Sequence, residues 1–336
     1  MVSVKDVAAA ADVSVGTVSN VLNHPDKVSA ATIERVQQVI EDLGFVRNDA
    51  ARQLRAGRSR SIGLVVLDVG NPFFAEVARG AEERAAEEGL VVLLGGADQK
   101  PDRESAYLDL FRQQRVLGVL ITPVSEDVAA LRRLNEAGIP VVLVDREMPG
   151  EAFRAVSVDD VEGGHLAVSH LLALGRRRIA VVAGPASVPQ VADRLEGARR
   201  AVAASPDAVL EVIEAEALTV LAGREAGERI RERAERPDAV FAVNDLLAVG
   251  VLQALALADS GVRVPEDIAL IGYDDIDFAA STVVPLTSIR QPARALGSTA
   301  VDLLLAEHAA PGAGERAIRY RPELVVREST IGRAAG

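Results

Sequence analysis

From Ile62 onward, short apolar runs alternate with amphipathic stretches of helical length, and few architectures tolerate that pattern. The runs are 62–67 (IGLVVL), 90–95 (LVVLLG), 117–121, 139–144, 179–183, 209–213, 239–243 and 268–272. Amphipathic stretches at 73–88, 103–115, 160–174, 192–204, 222–234 and 245–260 separate most of them. Near-continuous apolar strands joined through helices predict parallel sheets covered on both faces. With an interruption near 148–158, the pattern predicts two similar doubly wound α/β halves, and Thr287–Arg290 reads as a further late strand.

Several kinds of chemistry have no residues to support them. The α/β region holds neither GxGxxG nor GxxxxGK[ST], so no nucleotide cofactor is expected. The chain has no Cys, which removes disulfides, Cys-ligated zinc, iron–sulfur clusters and thiol catalysis. Its four His, at 24, 165, 170 and 308, form no HxxxH or HExxH pair, so no metal is expected. With no GxSxG turn and no Ser/His/Asp arrangement, no catalytic residue and no enzyme is expected. No apolar run reaches the ~18 residues of a membrane span. The N-terminus shows no apolar h-region, so the expectation is a cytoplasmic protein with no membrane partner.

Residues 1–60 follow another pattern. Ser3 and Asp6 make a start resembling a capping box, and Val4, Val7, Ala8 and Ala11 share one helical face. Ser14 caps a second helix with Val18, Val21 and Leu22 inward, broken by His24-Pro25-Asp26. Ser29 starts a third, with Ile33, Val36, Ile40 and Leu43 inward and Gly44 as its stop. Two short helices braced by a third predict a helix-turn-helix. The second helix leaves Ser14, Val15, Gly16, Thr17, Ser19, Asn20 and Asn23 for its outer face, where a solvated helix ordinarily carries Glu and Lys. Small uncharged side chains let a helix enter the major groove. There Asn20 can pair with a base edge, Val15 can touch a thymine methyl, and Ser or Thr can hold phosphates. A generic helical hairpin does not account for the missing charge.

Charge sharpens the contrast. The whole chain carries −12, but residues 1–60 hold eight Lys/Arg against seven Asp/Glu, leaving −13 for the rest. Arg47, Arg52, Arg55, Arg58 and Arg60 form a basic stripe that reads either as a solvated linker or as a phosphate track. The helix-compatible run 48–56 within it is too short to be stable alone. Its one large apolar side chain, Leu54, suits a contact with a neighbouring subdomain or ordering on docking.

In open parallel sheets, ligands bind beyond the carboxyl ends of the strands. Asp68, Asn71, Phe73 and Phe74 follow the first strand, Asp145-Arg146 the fourth, and Asn244-Asp245 follow Val243. Tyr273-Asp274-Asp275 follow Gly272, Gln291 follows the late strand, and Arg194 lies on the helix after 179–183. Carboxylates and guanidinium groups can bridge adjacent hydroxyls while rings pack on the C–H face of a sugar, so the set reads as a polyol site. Taken singly, each Asp or Asn also suits a helix N-cap and each Phe a core.

The stretch Val4–Asn23 (VKDVAAAADVSVGTVSNVLN) resembles the DNA-binding head of the LacI/GalR family of bacterial repressors. The stretch NDAARQLRAGRSRSIGLVV, NPFF at 71–74, DR at 145–146 and DRLEG at 193–197 resemble it too, as do ND at 244–245, VPEDIALIGYDD at 264–275 and PLTSIRQP at 285–292. The resemblance implies a helix-turn-helix domain (1–46), a hinge helix and linker (47–60), and a periplasmic-binding-protein-like core (61–330) for effector binding and dimerisation. Within that core, one subdomain would span about 61–157 with 291–317, the other about 158–290 with 318–330, joined by three crossovers.

By resemblance, Val15, Gly16 and Asn20 occupy base-reading positions, Ser14, Thr17, Ser19 and Asn23 backbone-contact positions, and Leu54 the minor-groove wedge. Gly16 departs from members with a longer side chain there. Asn71, Phe73, Phe74, Asp145, Arg146, Arg194, Asn244, Asp274 and Gln291 match a sugar-pocket set closest to ribose-type binders. Leu218 stands where many members place an aromatic residue. The implied function is a transcriptional repressor that binds a pseudo-palindromic double-stranded DNA operator as a homodimer, under control of a small effector of the monosaccharide kind. A non-sugar effector, a protein partner or an activating role are the alternatives. The chain ends without heptads, so a dimer rather than a tetramer is expected.

Overall fold

The computed structural model describes residues 2–45, 59–148, 150, 152–257 and 261–332, in two compact units, Met1–Ser59 and Arg60–Gly336. Arg52 and Leu54 of the hinge lie outside the described residues.

The first unit has three helices, α1 (Val4–Ala10), α2 (Val15–Asn23) and α3 (Ala30–Asp42). Each begins where a Ser side chain accepts a backbone N–H that the helix cannot satisfy internally. Ser3 takes that of Asp6 in a full capping box, Ser14 that of Thr17, and Ser29 that of Thr32. Gly44, at φ +59°, closes α3 in the left-handed conformation that glycine adopts freely. Val7, Ala8, Ala11, Val18, Val21, Val36 and Phe45 form its core.

The second unit contains two six-stranded sheets. The first has the order β11 (Ala317–Tyr320), β5 (Arg154–Val158), β4 (Val141–Val144), β3 (Gly118–Ile121), β1 (Ser61–Val66), β2 (Val91–Gly96), every pair parallel. The second has the order β12 (Glu323–Val325), β10 (Thr287–Arg290), β9 (Ala269–Asp274), β8 (Ala239–Ala242), β6 (Arg178–Ala183), β7 (Val209–Glu214). Its β12 runs antiparallel to β10, so this sheet is mostly rather than wholly parallel. The interruption expected near 148–158 contains strand β5. Its Arg154 is buried, pairs with Glu307 at 2.6 Å and donates to the Glu315 and Ala313 carbonyls. The expected last division at 317/318 would cut through β11, which pairs with β5 as far as Tyr320 opposite Val158. The chain therefore leaves the first sheet after Tyr320.

The covering helices are α4 (Pro72–Glu87), α5 (Pro101–Gln114), α6 (Ala129–Glu136), α7 (Asp160–Ala173), α8 (Pro189–Ala203), α9 (Val220–Arg231), α10 (Asp245–Leu252) and α11 (Ala293–Ala309), with a short α12 (Glu328–Ile331) near the end. Three helix pairs meet through glycine on both sides. A Cβ on Gly80 of α4 would stand 2.1 Å from the Arg294 carbonyl oxygen, and one on Gly297 of α11 would stand 1.9 Å from that of Val77. Gly164 of α7 and Gly197 of α8 interlock in the same way with Arg194 and Val161, as do Gly223 of α9 and Gly250 of α10 with Leu247 and Val220. These backbones touch at distances no side chain allows. Gly297→Ala should therefore force the α4–α11 pair apart and cost about 2 kcal/mol or more. Urea unfolding measures it, and a change within about 0.5 kcal/mol, as for an ordinary surface substitution, contradicts the close approach.

Candidate functional site

The carboxyl ends of both sheets converge on one small cavity of about 30 Å³. Asn71, Phe73, Phe74, Asp145, Arg194, Asn244 and Asp274 line it, together with Leu67, Val188, Gln190, Val191 and Leu218. Seven of the nine positions named from sequence thus meet in one place. Arg146 and Gln291 do not face it. Arg146 turns into an adjoining opening of about 330 Å³, where its Nη2 donates to Glu126 at 3.2 Å. Gln291 lines a second opening of about 440 Å³ and reaches the cavity through Asp274, to which its Nε2 donates at 2.8 Å.

Local backbone chemistry aims these side chains. Asn71 caps α4, its Oδ1 accepting from Phe73 N at 3.0 Å while its Nδ2 donates to Asp274 Oδ2 at 3.2 Å. Asn244 caps α10 through Leu247 N and donates to the Leu218 carbonyl at 3.3 Å. For both Asn, the cap role and the lining role coexist. Asp145 (φ +60°), Asp274 (φ +108°) and Asp275 (φ +54°) leave their strands in the left-handed region, which turns each carboxylate off the strand axis. Such residues cost about 1–3 kcal/mol each and cluster at ligand clamps.

Arg194 is the electrostatic hub. It is buried, its Nε donates to Asp160 at 2.7 Å and its Nη1 to the Val243 carbonyl at 2.8 Å. Nη1 also lies 3.7 Å from Asp274, and the guanidinium carbon sits 3.7 Å from the Tyr273 ring centroid. Burial works against its charge, yet the surrounding carboxylates, Asp160 first, hold its pKa above the ordinary value. Burial drives Asp145 well above the usual carboxylate range, with Asp160 adding to the effect. Burial likewise pushes Asp274 up to about 6, against the pull of Arg194.

Gln190 escaped the sequence reading. Its Nε2 donates to the Asp145 backbone oxygen and to Asp145 Oδ2, both at 3.1 Å. The helix expected at 192–204 begins at Pro189, so Gln190 belongs to a first helical turn rather than a loop. A proline at N1 after the 178–183 strand was the available signal.

In the first unit, α2 buries Val18 and Val21 and leaves Ser14, Val15, Gly16, Asn20 and Asn23 exposed, with Thr17 and Ser19 half-buried. Val15 is 46% exposed, an apolar side chain on an outer face without charge. Ser14 and Thr17 hydroxyls lie 2.9 Å apart and Asn23 donates to the Ser19 carbonyl, so part of this polar face is ordered internally.

Comparison with known proteins places both units. Residues 3–48 match the model for bacterial regulatory proteins of the lacI family, and residues 168–330 match a periplasmic binding protein-like domain. The ribose operon repressor of Bacillus subtilis is 35% identical over 331 residues, covering 98% of this chain and 99% of that one. The chain belongs to the LacI family. It is a DNA-binding transcriptional regulator with a LacI-type head and a periplasmic-binding-protein-like core. The Lac repressor dimer bound to operator and the anti-inducer ONPF superposes with a TM-score of 0.83 at 28% identity, over 98% of this chain and 99% of that chain. A LacI-family regulator from Enterococcus faecium with bound ribose matches 82% of this chain and all of that one, with a TM-score of 0.73 and 30% identity. Among the described residues, no helix is long and apolar enough to cross a membrane.

The buried acids of this LacI-family cavity tie stability to pH. Folding raises the Asp274 pKa from 3.8 to about 6, so between those values the folded chain binds more protons than the unfolded one. Stability therefore falls as pH rises through that window, by about 3 kcal/mol for a shift of this size. Asp274→Asn cannot ionise. The stability difference between variant and wild type, from urea unfolding near pH 4 and near pH 7, should shift in favour of the variant at the higher pH. A difference that does not change with pH means that Asp274 does not titrate in this window.

Proposed function

We propose that the chain is a repressor. It binds a pseudo-palindromic operator as a homodimer through α2 and the 47–60 hinge, and a monosaccharide in the cleft between the two sheets sets its operator affinity. The observation that carries the DNA side is the outer face of α2, which offers Val15, Gly16 and Asn20 and no charge. Bases are read there by hydrogen bonding and methyl contact, and the Arg-rich hinge sequence supplies phosphate attraction. The cavity supports the effector side. Phe73 and Phe74, edge to face at 5.0 Å, give an apolar wall opposite Leu218, Val188 and Val191, while carboxylates and amides line the rest.

Exposed apolar residues support dimerisation. Edge strand β2 leaves Val91, Leu93 and Leu94 exposed, and Val69 and Leu110 are exposed as well. An edge strand with exposed apolar side chains favours pairing with another chain, and the Lac repressor matched above is an operator-bound dimer.

Asn20→Ala should lower specific operator affinity by about 1–3 kcal/mol while leaving non-specific DNA binding nearly unchanged. Fluorescence anisotropy with the operator and with a scrambled duplex at one salt concentration measures both. Equal losses on the two duplexes rule out base reading by Asn20. Leu54→Ala tests the hinge in the same assay. A wedge opens a base step in the specific complex only, so specific binding should suffer more.

A further inference from the structure

The cavity has an imbalance of charge. Asp145, Asp160 and Asp274 surround a single guanidinium, and Arg194 spends it mainly on Asp160 and the Val243 carbonyl. Asp145 lines the cavity, is fully buried and takes part in no ion pair among the described residues. Its Oδ2 accepts from Gln190, and its Oδ1 has no hydrogen-bond partner there. A buried acceptor left unmet costs free energy, and a ligand hydroxyl can supply the missing donor.

The two openings do not correct the imbalance. The mouth beside Asp145 carries Glu126, Glu147, Asp159 and Asp193 against Arg146 and Arg319. Arg146 meets Glu126 and Arg319 meets Glu147, so both cations are engaged, although Arg146 keeps one buried Nη1 without a partner. The second mouth sets Glu76, Asp275 and Asp277 against Arg290 and Arg294, which pair with Asp275 and Glu76. No lysine lines the cavity or either mouth.

We infer that the cleft selects its effector by charge, taking a neutral, hydroxyl-rich ring and excluding the phosphate ester or carboxylate of the same sugar. The inference rests on the effector reading above and narrows its chemical class. Ring hydroxyls donate to Asp145 and Asp274, and the apolar walls take the C–H faces. A phosphate brings up to two further negative charges into a space where carboxylates already exceed cations, and burial strengthens that repulsion.

Matched pairs test it by calorimetry on the full chain near neutral pH: ribose with ribose 5-phosphate, fructose with fructose 6-phosphate, and glucose with glucose 6-phosphate. At least one neutral sugar should bind, with its phosphate weaker by about 100-fold or more, the size of a buried like-charge contact. Asp145→Asn removes one charge and keeps the shape, so it should narrow that gap several-fold. Operator binding by the same preparation shows that the variant is folded. A phosphate that binds as tightly as its parent, or an unchanged gap in Asp145→Asn, overturns charge selection. Heat from none of the six overturns the neutral-sugar class. Operator affinity, read separately, decides the regulatory reading in either case.

Discussion

One buried guanidinium holds the cleft's wall in register. Arg194 links α8, on which it lies, to Asp160 at the start of α7, to the carbonyl after β8, and to the Tyr273 ring of β9. A charge placed so deep is tolerable only because each of these contacts is made. Removing one partner of such a buried pair typically costs about 3–5 kcal/mol. Asp160 accepts from Arg194, whose charge also opposes the effect of burial on Asp274, and Asn71 and Gln291 are oriented by donating to Asp274. The resemblance places Arg194 in the ligand-contact set, whereas its geometry makes it a support for the other groups that line the cavity. Truncating it would disturb the wall and the recognition together, whereas Asp145, Gln190 and Asn244 are reached more independently.

The parts of the fold that were legible in the sequence are those where burial leaves a periodic trace. Strands β1 to β4 and β6 to β9 are apolar throughout or nearly so, and all eight were read within a few residues of their ends. Strand β5 leaves no such trace, because RAVSV alternates and carries a buried Arg, satisfied by Glu307 and two carbonyls far along the chain. Strands β11 and β12 are short, at sheet edges and half exposed, so hydropathy does not mark them. The antiparallel hand of β12 is decided by where the last crossover returns, which no local pattern encodes.

The site was legible for a different reason. Parallel sheets deliver their strand ends to one edge, so polar residues just past each apolar run could be gathered without knowing any distance. What the sequence does not encode is direction. Arg146 follows Asp145 directly, yet the turn at Asp145 sends the two side chains to different spaces. Gln190 was hidden by a helix start placed three residues too late. The head was read almost completely, since its serine caps and buried valines are local features and its open face is simply what remains.

The reciprocal glycines have a bearing on how such a chain can change. Six backbone contacts lock α4 with α11, α7 with α8, and α9 with α10, and none admits even a methyl group. Substitutions that enlarge these seams disturb whole helices and, through α8, the guanidinium that organises the wall. Leu218 is placed otherwise. It packs over Gly184, at 2.5 Å from where a Cβ would stand, and its far end forms part of the cavity surface. Val188 and Gln190 likewise project from the beginning of α8, ahead of its interlocked glycine. The molecule is thus divided into a frame that is sterically frozen and a few wall positions that are free to vary. The shape of the cavity can change at those positions alone, with the DNA-binding head and the packing of the core left as they are.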